Sequence, residues 1–489
     1  MSKLIKNELI KIFKKKTIYI ALIVILLFLV FMNIMFKYSY GNYYNDYAYS
    51  EGYIEYLDDE LAKLDPSKPS DTSTYIDLKS QRDMIDYMSK YDENAWQRQV
   101  IGTTMMSYIQ ERNTFMYGTE KNEEKVAQIN EEISAIVEKL DKDDWKYFVN
   151  TELEQTEQKI KELEAQKNTT EDKQILRQLD KEIAINNINK EVLEYRINKE
   201  IKYGNDYLNN ALSQYSSASQ ELLNYDMDNG EKEVSYKDKQ TYNQLIENKE
   251  TYKYVLDNEV DVNKTNSLKG ILEDFYNQFG LFIIVVIVMI AGTIVSEEFN
   301  KGTVKLLLVK PYSRTKILLS KFITTMIIVL FTIIVALLMQ VLVGGIIFGF
   351  DSLSVPVVHY NFNTNSLQTM NIFAYVGLQT LAQLPMIILL ATLAFALSTI
   401  FTNSALAITI ALLGYMANMI INQLAIAYNL GFMKYFVTLN WDFSQYLFGG
   451  LPLMEGMTLI SSIIICVIYF LIMFIPTFII FKKKNIKNI

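Results

Sequence analysis

The densest run of chemistry-bearing residues lies between two apolar stretches and reads Ser296, Glu297, Glu298, Phe299, Asn300, Lys301, Gly302, Thr303, Val304, Lys305, then Lys310, Pro311, Tyr312, Ser313 and Arg314. Two acids end a hydrophobic helix and Gly302 permits a sharp turn. Val304, Leu306, Leu307 and Leu308 then give a short amphipathic segment that Pro311 stops. An element of this kind projects from a membrane surface and suits docking in a groove of a soluble partner.

A second set of polar residues sits inside apolar sequence. Gln379 and Gln383 are one helical turn apart, and Gly414, Asn418 and Asn422 recur at i, i+4 and i+8, so each set follows one helix face. In a membrane such stripes serve either helix–helix hydrogen bonding or the lining of a substrate path. Pro385 is placed to kink the helix between them. Catalytic chemistry finds no constellation. No G-x-x-x-x-G-K-[ST] phosphate loop occurs, so the chain does not cradle a nucleotide by that route. The single histidine, His359, and the single cysteine, Cys466, build neither a usual metal site nor a Cys/His nucleophile pair. The remaining acids near apolar ends, Asp351, Asp442 and Glu455, form no recognisable set. We therefore expect a non-enzyme with no cofactor of its own and no nucleic-acid partner.

The elements that carry these residues follow from how charge is distributed. Residues 37–278 hold 30 of the 47 Lys and Arg but 49 of the 55 Asp and Glu, a net charge of −19. The other half of the chain is nearly uncharged apart from a few clusters. A helix of about 20 apolar residues crosses a hydrocarbon core of about 30 Å. The uncharged stretches predict six spans, at 17–36, 279–296, 322–350, 372–401, 405–428 and 457–481. Between them lie an amphipathic start (1–16), a loop (297–321), an external loop (351–371), an external or re-entrant segment (429–456, with Trp441 and Asp442) and a tail (482–489).

Lys and Arg are retained on the cytoplasmic side during insertion. Lys3, Lys6, Lys11, Lys14, Lys15 and Lys16 precede the first span, Lys301 to Lys321 fill the 297–321 loop, and Lys482 to Lys487 end the chain. This places both termini and that loop inside and residues 37–278 outside, with Lys434 the one exception. The first span lacks a small-x-small cleavage site after it and is read as a signal anchor. With one cysteine no intrachain disulfide forms, and the external domain must be held by packing alone.

Within residues 37–278, Val126, Ile129, Ile133, Ile136 and Leu140 form a heptad seam. Similar spacing recurs in Leu153, Ile160 and Leu163, and in Ile185, Ile188, Val192 and Tyr195. Turn formers at Asp141 to Asp144 and Asn168 to Thr170 interrupt the pattern, with Thr169 and Asp172 at capping-box spacing, so antiparallel helical hairpins fit better than one rod. Linkers are expected near Asp65 to Ser73 and Tyr225 to Glu233. The expected fold is an all-α membrane protein of six transmembrane helices, with a large helical, coiled-coil-like extracellular domain inserted between the first and second spans. That domain is either a solvated spacer or dimerisation element, or an acidic, Tyr-rich surface that captures amphipathic cations.

The loop sequence resembles the permeases of ABC-type exporters of the second type. Their mark is an acidic residue, then Gly-Thr, then a Pro-x-Ser-Arg turn and a basic residue opening the next span. Glu297 or Glu298, Gly302 with Thr303, Pro311 with Ser313 and Arg314, and Lys321 stand in that order here. The amphipathic start, with Leu4, Ile5, Leu9, Ile10, Ile12 and Phe13 among lysines, looks like the family's interfacial elbow helix. The resemblance covers the membrane half, and the insertion at 37–278 resembles the larger-loop branch. It implies coupling to cytoplasmic ATPase subunits through Glu297, Glu298, Gly302, Thr303, Lys305, Pro311, Ser313 and Arg314. ATP and magnesium would be bound by that partner. It further implies a second permease subunit in the bacterial membrane, a substrate path at Gln379, Gln383, Gly414, Asn418 and Asn422, and an amphipathic substrate such as an antimicrobial peptide, a drug or a lipid-like molecule. The competing reading is a non-transporting sensor or secretion-accessory membrane protein with a helical ectodomain.

Overall fold

The computed structural model describes residues 1–39, 51–229, 235–303, 312–401 and 403–484. The chain divides into two compact units, one made of Met1–Asn42 with Val262–Ile489 and the other of Tyr43–Asp261.

In the first unit six helices are long and apolar enough to cross a bilayer. They are Lys16–Ser39, Phe275–Thr293, Arg314–Phe348, Ile372–Phe401, Ser404–Ala427 and Leu459–Lys483, numbered here as the first to sixth spans. The protein is a helical, multi-pass membrane protein. Helices are required because a bilayer core has no water to satisfy backbone N–H and C=O groups. The common core joins Leu29 of the first span, Phe279 and Ile287 of the second, Ile333 of the third, and Leu390 and Ala394 of the fourth. The fourth span is the most enclosed. The fifth and sixth present Leu413, Met419, Ile460 and Ile472 outward, as lipid-facing helices do. Gly292 allows the second and fifth spans to approach closely, since a Cβ there would lie 2.7 Å from the Ile408 side chain.

The second span starts at Phe275 rather than 279, and two further boundaries differ from expectation for local reasons. The third span starts at Arg314 rather than 322, because the Ser313 hydroxyl caps the Lys316 N–H (3.4 Å) and the charges of the first turns find partners described below. The second span ends at Thr293, and the chain forms a separate short helix, Ser296–Asn300. The fourth helix runs through Pro385 without a break. Between the third and fourth spans, where a loop is expected in an all-α fold, the chain forms an antiparallel hairpin, Val357–Asn361 with Ser366–Met370. His359 lies on it, stacked between Tyr375 (4.9 Å) and Phe448 (4.6 Å). Between the fifth and sixth spans, the short helix Val437–Asn440 buries Leu439, Asn440 and Trp441.

The second unit is a set of helices packed as successive hairpins. Its helices include Glu123–Asp141, Trp145–Thr169, Lys173–Asn198, Tyr207–Asn229 and Tyr236–Asn258, with Pro69–Met88 and Met106–Tyr117 packed on one another. Of the expected seam Ile129, Ile133, Ile136 and Leu140 are buried, as are Ile160 and Leu163, whereas Val126 and Leu153 are half-buried. In Lys173–Asn198 the buried residues are Leu179, Leu193 and Arg196, whereas Ile185, Ile188, Val192 and Tyr195 are half-buried. That helix is flanked on two sides, by Trp145–Thr169 and Tyr207–Asn229, so its contact face is broader than one heptad stripe. Thr169 and Asp172 do not form a capping box. Asp172 alone caps, accepting from Gln174 N (2.8 Å) and Ile175 N (3.2 Å), while the Thr169 hydroxyl donates to Gln166 O within the preceding helix. Polar pins replace disulfides. Arg112 reaches Asp83 (2.5 Å), and Arg196 donates to Ile201 O (3.1 Å) and Asn209 Oδ1 (2.8 Å).

In the membrane unit, Asn33 of the first span and Gln340 of the third exchange two amide hydrogen bonds (3.0 and 2.9 Å) with both side chains fully buried. Neither group has water to fall back on, so replacing one strands the other. Asn33→Leu is expected to lower stability by about 1 kcal/mol, and the double change with Gln340→Leu to recover most of it. Thermal unfolding in detergent of the two single variants and the double variant checks this.

Candidate functional site

The acids that close the second span are built into a charged clasp. Val295 and Phe299 turn the Ser296–Asn300 helix inward with Ile12, Leu318 and Phe322, and the Ser296 N–H donates to Ser398 Oγ of the fourth span (3.0 Å). This orientation buries Glu298, 5% exposed, beside Lys321, 2% exposed. Glu298 Oε1 accepts from Lys321 Nζ (3.1 Å) and from Lys11 Nζ, and its Oε2 accepts from the Thr303 hydroxyl. Lys321 also donates to Glu8 Oε2 (2.8 Å). Two acids and two lysines therefore close a neutral cluster across the amphipathic helix Ser2–Phe13, the helix Ser296–Asn300 and the third span. Glu297 pairs with Lys15 and more distantly with Lys301 (3.7 Å).

Burial pushes the Glu298 carboxyl up, but Lys321, Lys11 and Thr303 outweigh it and hold it at about 2. Glu297 is likewise raised by burial and brought net below its usual value, chiefly by Lys15. At neutral pH both are carboxylates. Gly302 follows with φ +67°, a left-handed conformation that favours glycine, and nothing lies within 4 Å of where a Cβ would be. Lys305 and Pro311 lie outside the described residues. Ser313 caps the third span, and Arg314 donates to the carbonyls of Lys482 (3.2 Å), in the last turn of the sixth, and of Lys484 (2.8 Å), just beyond it. Lys484 in turn donates to Thr399 O (3.0 Å) and Ile400 O (2.9 Å) of the fourth span and lies over the Phe299 ring (5.0 Å). Its burial lowers its pKa. The loop that carries the motif is thus fastened at both roots.

The intramembrane polar residues separate. Gln383, Asn418 and Asn422 line one cavity of about 160 Å³, where Tyr276, Tyr415 and Trp441 supply aromatic wall. Gln383 Nε2 donates to Asp442 Oδ1 (2.9 Å), and Asn422 Nδ2 to Thr438 O (3.2 Å). Gln379 and Gly414 lie outside the cavity. Gln379 donates to the Tyr375 hydroxyl (2.5 Å) one turn back, and Gly414 is exposed with open space beside it.

Sequence reasoning missed Glu8 and Lys11 as clasp members. The available signal was one acid among six lysines in the amphipathic start, a charge with no reason to be there unless a cation from elsewhere meets it. It also left Asp442 unassigned, since its partner Gln383 is 59 residues away.

Residues 240–487 match a family model described as a protein of unknown function (DUF2705), and the chain belongs to that family. It is 34% identical over 209 residues to the uncharacterized protein YhcI of Bacillus subtilis (strain 168), covering 43% of this chain and 65% of that one, just under two thirds of its length. It is 28% identical over 200 residues to the uncharacterized membrane protein YdbK of the same organism, covering 41% of this chain and 76% of that one. No solved structure matches it.

Because the folded pKa of Glu298 lies below its ordinary 4.5, its stabilisation is fully present above pH 4.5 and is lost as pH falls through about 2. Glu298→Gln leaves Lys321 buried with one acid fewer and is expected to cost about 3 kcal/mol at pH 7. Unfolding of wild type and variant compared from pH 7 to pH 3 should show that difference shrinking only below pH 4.5. A difference that is constant over the range contradicts the clasp.

Proposed function

We propose that this protein is the permease subunit of an ATP-driven exporter whose ATPase is a separate polypeptide. The observation that carries this reading is the clasp. A segment with the family's acid, Gly-Thr and Ser-Arg order leaves the membrane between two roots, one locked by Glu298, Lys11 and Lys321, the other by Arg314 on the carbonyls at the end of the sixth span. A force applied to that segment is transmitted to the second, third, fourth and sixth spans together, which is what coupling to a moving ATPase requires. ATP and magnesium belong to the partner. A second permease subunit, identical or related, completes the membrane part, and the substrate is an amphipathic peptide, drug or lipid-like molecule released outside.

In this reading the lysine-rich ends and residues 297–321 face the cytoplasm of a bacterial cell, and residues 37–278 face outward. The single cysteine makes the orientation testable. In a Cys466→Ala background, Ser217→Cys should react with a membrane-impermeant maleimide on intact cells, and Lys301→Cys only after permeabilisation. The reverse pattern inverts the topology and removes the coupling segment from reach of ATP.

Purification from native membranes in mild detergent should bring along a subunit with a G-x-x-x-x-G-K-[ST] motif and ATPase activity. Gly302→Val forces a β-branched residue into the left-handed region at an open position. It should release most of that subunit while leaving the thermal unfolding of the spans unchanged. If wild type never retains an ATPase, the exporter reading fails and the sensor or secretion-accessory reading leads.

A further inference from the structure

The cavity among the second, fourth and fifth spans is lined by three buried oxygens that no protein group meets. Asn418 Oδ1, Asn422 Oδ1 and Thr438 Oγ1 are buried without a protein partner, and all three residues line it. Thr438 is 8% exposed. The Asn422 amide is fixed in this sense because its Nδ2 donates to Thr438 O (3.2 Å), and a flip would set two carbonyl oxygens against each other. One charged group lines the same space. Asp442 spends Oδ1 on Gln383 Nε2 (2.9 Å), Ser444 N (2.9 Å) and Ser444 Oγ (2.5 Å), and none of the described hydrogen bonds uses its Oδ2.

Three buried oxygens without partners, two amide carbonyls and a hydroxyl that can accept as well as donate, carry a standing desolvation penalty. A carboxylate at a membrane site adds to it unless a cation answers. An anion is disfavoured by Asp442, and a neutral apolar group would leave every acceptor unmet. A quaternary ammonium would satisfy the charge and the rings of Tyr276, Tyr415 and Trp441 but has no N–H for the three oxygens. The volume of about 160 Å³ equals about five waters at ~30 Å³ each. That admits a compact head group with a few methylenes.

We propose that this cavity binds a primary ammonium group at the end of an alkyl chain, with Asp442 as counter-charge and Asn418, Asn422 and Thr438 as acceptors. The ammonium has three N–H donors and a single charge, which match the three unmet oxygens and the one carboxylate. The assignment rests on the chain alone and does not depend on coupling to an ATPase. The same chemistry is presented by an alkylamine and by an aminoethyl lipid head group, and the two are separated by the probes used.

The test is thermal unfolding of the full chain in non-ionic detergent, titrated at pH 7 with n-hexylammonium, hexanol, hexyltrimethylammonium, and short-chain phosphatidylethanolamine against phosphatidylcholine. A saturable rise in Tm is expected with hexylammonium, with phosphatidylethanolamine, or with both, and with none of the other three; the tighter amine identifies the source. Thr438→Val removes one unmet hydroxyl at nearly constant shape. It should leave the Tm of the empty protein unchanged or raised and yet weaken hexylammonium binding about tenfold. A residue that is merely structural would move these two readouts in the same direction. Asp442→Asn should abolish the shift, and if that variant does not fold, Thr438→Val decides alone. Equal stabilisation by hexanol or hexyltrimethylammonium, no saturable shift with either amine, or unaltered amine affinity in Thr438→Val overturns the proposal.

Discussion

A carboxylate taken out of water must be answered by cations within reach, and in this protein Glu298 imposes that constraint on three separate elements. Its burial is costly by itself, yet Lys321 and Lys11 hold it ionised, with its pKa at about 2. Lys321 is as deeply buried and would be equally costly without Glu298 and Glu8. Neither Glu298 nor Lys321 is tolerable alone, and Glu8 and the more exposed Lys11 reach in to answer them, so the amphipathic start, the short helix after the second span and the third span are drawn together. The apolar ring of Ile12, Phe299, Leu318, Phe322 and Phe481 excludes water from the same region and makes that obligation stronger.

The rest of the membrane unit obeys the same rule with uncharged groups. Asn33 and Gln340 satisfy one another across two spans, and Asn440 donates to Lys434 O and Phe436 O while accepting from Ser462. Arg314 and Lys484 quench carbonyls that helix ends leave open. Among the described residues Gln278 Oε1 of the second span breaks the rule singly, and the cavity beside Asp442 breaks it three times over, at Asn418, Asn422 and Thr438. Local inconsistency of this kind is expected at sites whose missing partner is a ligand.

Much of the architecture was legible because bilayer thickness and charge exclusion act on composition directly. Six spans could be placed from uncharged stretches, and the helical nature of the insertion from seams such as Ile129, Ile133, Ile136 and Leu140. The boundaries that shifted depended on side-chain partners. Ser313 extended the third span by capping it, and Lys321 became acceptable inside a helix only once Glu8 and Glu298 were near. The hairpin carrying His359 was hidden because five-residue strands leave little periodicity. In the candidate site, face periodicity grouped Asn418 with Asn422 correctly but carried Gly414 along, since spacing says which residues share a stripe and not where a cavity ends. Asp442 and Glu8 were visible as isolated acids. Their partners, distant in sequence, were not.

The central claim is that the segment between the second and third spans is the seat of a soluble ATPase. Single-particle imaging of the complex extracted from native membranes tests it most directly. The account predicts nucleotide-binding subunits against residues 296–313, on the same side as both chain ends and opposite the inserted helical domain. A complex with no such subunits there, or with the partner bound only to the inserted domain, would contradict it.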